Sequence, residues 1–62
     1  MILENIKRLC SAKRISLAAV EKATGIGNGV IARWGEGLPR VDLLKRVADY
    51  FGVTVDELLK EE

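Results

Sequence analysis

The chain has 62 residues and a formal net charge of +1, with 48% hydrophobic and 31% charged residues. That length allows one small domain, burying only about 60% of its unfolded surface, and the composition excludes a disordered chain. One cysteine, Cys10, and no histidine exclude an internal disulfide and leave no ligand set for zinc.

Residues 2–13 repeat apolar groups at Ile2, Ile6, Leu9 and Cys10, with Leu3 beside them. That is helical spacing, and Glu4, Lys7, Arg8 and Lys13 fill the opposite face. Lys13 and Arg14 stand at the C-terminal end, where they suit the helix dipole and could equally touch phosphate. Ser16 can cap a second helix over 17–24, with Val20, Leu17 and Ala23 as its inward residues. Gly25 suits a left-handed end, and Ile26 turns back to the core. A third helix is predicted over 28–35, seated by Ile31 and Trp34 on one face. GEGLPR, 35–40, then breaks the helical pattern at Pro39. The fourth helix, 41–51, has Leu44, Val47, Ala48 and Phe51 as its inward stripe, assisted by Val41 and Leu43, and Gly52 ends it. The fifth, 55–60, carries a Thr54–Glu57 capping box with a Val53–Leu58 hydrophobic staple. Five short helices and no strand predict an all-α bundle forming a single domain over 1–62.

Two short helices around a glycine-marked turn, 16–34, have the form of a helix-turn-helix unit. The second helix of such a unit can enter a DNA major groove. Asn28, Gly29, Ala32 and Arg33 occupy its outer positions. Asn can pair with adenine, Arg with guanine or phosphate, and small residues permit close approach. Asn28 could equally serve only as a cap, and Gly29 only as a turn residue. The charge is split between the two parts of the chain. Residues 1–40 hold seven Lys and Arg against three acids, a balance of +4, and residues 41–62 three against six, a balance of −3. Such a division hints at an anionic partner, although an ordinary solvated surface explains it as well. GIGNG, 25–29, follows no strand, so it does not read as a dinucleotide loop. No nucleophile has an evident base, and no enzyme, cofactor or small-molecule ligand is expected. No apolar run reaches the roughly 18 residues of a membrane span and no signal peptide is visible, so the expected location is the cytoplasm.

The stretches NIKRLCSAKRISLAAVEKATGIGNGVIARW and LPRVDLLKRVADYFGVTVDELL together resemble the Cro/repressor-type (XRE-class) helix-turn-helix regulators of phages and bacteria. The resemblance covers nearly the whole chain. It implies a lambda-repressor-like five-helix domain, acting as a repressor-like transcriptional regulator. It implies a homodimer on a double-stranded operator, with bases read by Asn28, Gly29, Ala32 and Arg33. It also implies phosphate contacts at Leu17 and Arg40. Many members carry glutamine at the position of Leu17, arginine at Cys10, alanine at Glu21 and glutamate at Gly35. The branch with the GNG-x-I-x-R-W pattern often has glutamate at Glu21. These departures shift the expected grip onto Lys13, Arg14, Arg33, Arg40 and backbone amides. The alternative reading is a protein-interaction or antitoxin-like module that uses the acidic surface of Asp42, Asp49, Asp56 and Glu57 and binds DNA weakly.

Overall fold

The computed structural model describes residues 2–35 and 39–60, so residues 36–38 of the expected break and the chain ends lie outside the described residues. Among the described residues, four α-helices and one 3₁₀ helix form the fold. They are α1 (Ile2–Lys13), α2 (Leu17–Thr24), the 3₁₀ helix (Ile31–Gly35), α3 (Val41–Phe51) and α4 (Val55–Leu59). The third element departs from expectation. Residues 28–30 are turn, and the helix that follows is 3₁₀ rather than an α-helix over 28–35. Its bonds are short-range, Val30 N–H to Gly27 O at 3.2 Å and Arg33 N–H to Val30 O at 3.1 Å. Such helices rarely propagate beyond a few residues. The last helix stops at Leu59, one residue early, because Lys60 is extended.

The starts of α2 and α4 are capped as the sequence predicts. The Ser16 hydroxyl accepts from Ala19 N–H at 3.1 Å, and the Thr54 hydroxyl from Glu57 N–H at 3.1 Å. Three helix ends share one device. Arg14, Gly25 and Gly52 are all left-handed. The following residues Ile15, Ile26 and Val53 send their amides back to Cys10, Glu21 and Ala48 carbonyls at 3.0, 2.9 and 2.9 Å. This six-to-one closure satisfies carbonyls that a helix end leaves open, and it turns an apolar residue inward. Arg14 is the non-glycine member, with φ of 57°. A side chain there costs about 1 kcal/mol or more. Arg14→Gly should therefore raise stability by roughly 0.5–1 kcal/mol in urea denaturation, its strain relief being partly offset by glycine's greater unfolded freedom.

The core gathers Ile6, Cys10, Val20, Ile26, Ile31, Trp34, Leu44, Val47, Ala48, Phe51 and Leu58. Every helix contributes, and α1 packs on the 3₁₀ helix and α4 while α2 packs on α3. Ile2, Leu3, Leu9, Leu17 and Leu43 pack against it partly buried, but two expected inward residues do not. Ala23 and Val41 are exposed, because the short α2 turns Ala23 away and Val41 begins α3 before its stripe meets the core. Burial pushes the Cys10 thiol above its ordinary pKa. Asn5 ties the two chain-distant ends of the fold. Its buried amide donates to Leu58 O at 2.8 Å and Lys60 O at 2.7 Å, satisfying carbonyls at the end of α4.

Candidate nucleic-acid interface

The helix-turn-helix is built from α2, the turn at 25–30 and the 3₁₀ helix. The Ser16 cap fixes the start of α2, and Val20, wholly buried, seats it. Gly25 reverses the chain and Ile26 pins the reversal to the core. Ile31 and Trp34, at 0% and 7% exposure, anchor the 3₁₀ helix from beneath. With those two side chains inward, Ala32 and Arg33 are left on the solvent side, and both are exposed. Asn28 is also exposed, while Gly29 is half-buried. Residues 28–33 thus expose Asn28, Ala32 and Arg33 and leave Gly29 half-buried, on either side of the buried Ile31. Gly29 has φ of +84°, a conformation that favours glycine, and a Cβ placed on it would meet nothing within 4 Å.

The remaining candidates lie elsewhere. Lys13 and Arg14 are exposed at the end of α1, immediately before the Ser16 cap. Leu17 is half-buried, and its side chain packs against the core. It can offer phosphate a backbone amide at the start of α2 rather than a side-chain contact. Arg40 holds the N-cap position of α3 without a side-chain cap bond. Its guanidinium pairs with Asp42 at 3.2 Å, and both side chains are largely exposed. Such a pair is worth little and is screened by salt, so it can exchange for phosphate.

Sequence reasoning missed the residue on which the turn depends. Glu21 stood out only as an acid in place of the usual alanine, and a charged residue on a short helix reads as solvated. It is instead 4% exposed. Oε1 accepts from Gly29 N–H at 3.0 Å and Oε2 from Ile31 N–H at 2.9 Å. These amides open the recognition segment and were expected to be available to phosphate. The carboxylate engages both from inside the protein. The signal that could have found it was the coincidence of a glutamate in α2 with a GNG turn, which needs an acceptor for its amides.

The family model of the Cro/C1-type HTH DNA-binding domain matches residues 5–62. The chain belongs to this family. It is also 30% identical over 61 residues to the HTH-type transcriptional activator BcrR of Enterococcus faecalis. That match covers 95% of this chain and 30% of the relative, so the chain spans less than a third of that protein's length. No solved structure matches. As a Cro/C1-type domain the chain is an all-α, DNA-binding module, and among the described residues no helix is long and apolar enough to cross a membrane.

Proposed function

We propose that this Cro/C1-type domain is the sequence-reading part of a transcriptional regulator, acting from the cytoplasm as one folded unit over 1–62. The observation that carries the proposal is the exposure of Asn28, Ala32 and Arg33, with the half-buried Gly29 between them, above two buried anchors. Arg33 and Asn28 read base edges. Gly29 and Ala32 let the backbone come close. Lys13, Arg14, Arg40 and the amide of Leu17 grip phosphates and set the register. Two copies bind a near-palindromic operator with their readers about one helical turn apart. The matched relative is named an activator and the sequence resemblance points to repressors. Occupancy of an operator is common to both, and it is what this geometry supports.

Two arginines test the division of labour. Arg33→Ala should cost about 1–3 kcal/mol on a selected operator and relax preference at one base pair. Arg40→Ala should weaken binding to all duplexes and reduce the salt slope by roughly one. Both are measured by fluorescence-anisotropy titration across a salt series. An equal loss on operator and random DNA for Arg33→Ala overturns its role in base reading. An unchanged affinity and slope for Arg40→Ala removes that residue from the phosphate contacts.

A further inference from the structure

The recognition segment has little of its own to hold it. Its helix is 3₁₀, five residues long. Asn28, Ala32 and Arg33 are exposed, and no side chain or backbone surrounds the Cβ position of Gly29 within 4 Å. Packing fixes the lower face through Ile31 and Trp34, and in the turn that precedes them it reaches Val30 but not the exposed Asn28. What reaches the turn is the Glu21 carboxylate, one oxygen on Gly29 N–H at 3.0 Å and the other on Ile31 N–H at 2.9 Å. The two bonded amides bracket Val30. They lie between the exposed side chains of Asn28 on one side and Ala32 and Arg33 on the other.

We propose that Glu21 is a positioning residue for base reading: its two-oxygen grip on the amides of Gly29 and Ile31 sets the pose in which Asn28 and Arg33 meet the groove. The proposal rests on the reading that residues 28–33 face DNA. Glu21 itself is buried and touches no base. Because it occupies these amides, they do not bind phosphate, and its effect falls on discrimination rather than on general attraction. Phosphate contacts from Lys13, Arg14 and Arg40 lie outside the clamp, so binding to random duplex does not depend on it.

The test uses the 62-residue chain and the duplex that the unaltered protein selects from a random pool, beside a random duplex of equal length. Glu21→Gln replaces one acceptor oxygen by a donor, so only one amide can be satisfied. At a temperature where circular dichroism shows both proteins folded, E21Q should lose on the order of tenfold on the selected duplex. Binding to the random duplex should change by less than about twofold, within the error of weak surface electrostatic effects. In the Arg33→Ala background the same substitution should lose much less, because a pose without its reading side chain has little left to set. The amide protons of Gly29 and Ile31 should exchange faster in E21Q. Equal losses on both duplexes, or full additivity with Arg33→Ala, overturn the positioning role. If E21Q does not fold, Glu21→Asp keeps the acid and shortens its reach, and the same criteria apply. An unaltered chain that does not distinguish the two duplexes refutes base reading itself, a different failure from that of the clamp.

Discussion

Trp34→Ala should destabilise the domain by about 3–5 kcal/mol, the usual cost of removing a large buried aromatic side chain. Trp34 is 7% exposed and shares the core with Ile6, Ile31 and Leu44. A domain of this length has a total stability of roughly 3–9 kcal/mol. The variant should therefore lose a third or more of its stability, and all of it at the low end of that range, as read by far-ultraviolet circular dichroism and urea titration. The cost is large because Trp34 joins two roles. It is part of the core on which α1 and the 3₁₀ helix pack, and with Ile31 it is one of the two buried side chains of the 3₁₀ helix. A loss below about 1 kcal/mol, the level of surface substitutions and mild shape changes, would mean that Trp34 is not in the core.

Glu21→Ala should cost about 2–5 kcal/mol. Two amide donors lose their acceptor, and each such unsatisfied group costs about 1–3 kcal/mol when buried. Ile31 N–H lies in a buried setting and Gly29 N–H in a partly buried one, so water replaces the carboxylate more readily at Gly29. The cavity left by the shortened side chain adds to the loss. Equilibrium urea unfolding followed by Trp34 fluorescence measures it. Substitutions of ordinary surface residues stay within about 0.5 kcal/mol. A Glu21→Ala loss no larger than that would show that the two hydrogen bonds do not hold the turn.

The sequence carries the parts of this fold that depend on near neighbours. Ser16 and Thr54 cap amides three residues on, and Gly25 and Gly52 end helices through bonds to carbonyls three to five residues back, so spacing along the chain reveals them. The stripe of Leu44, Val47, Ala48 and Phe51 follows from helical periodicity alone. The features that escaped are those set by distant partners. Asn5 stands between Glu4 and Ile6 on α1 with no local partner to mark it, and its acceptors lie 53 and 55 residues away. Glu21 finds its donors eight and ten residues ahead, across a reversal of the chain. Arg14 adopts a left-handed conformation that its residue type does not announce. Periodicity also placed Ile31 and Trp34 correctly but could not distinguish a 3₁₀ turn from an α-helix, because both put residues three apart on one face. In the candidate site, the outward segment followed from the inward anchors. The carboxylate beneath it did not.

The central claim is that residues 28–33 read a DNA sequence. Its most direct measurement is selection of bound duplexes from a random pool by the 62-residue chain, followed by titration of the enriched duplex against the unselected pool at physiological salt. The account predicts one enriched motif with two-fold related halves about one helical turn apart, bound on the order of 1,000-fold more tightly than the pool. Binding that is equal for enriched and unselected duplexes, with no motif emerging, would contradict it.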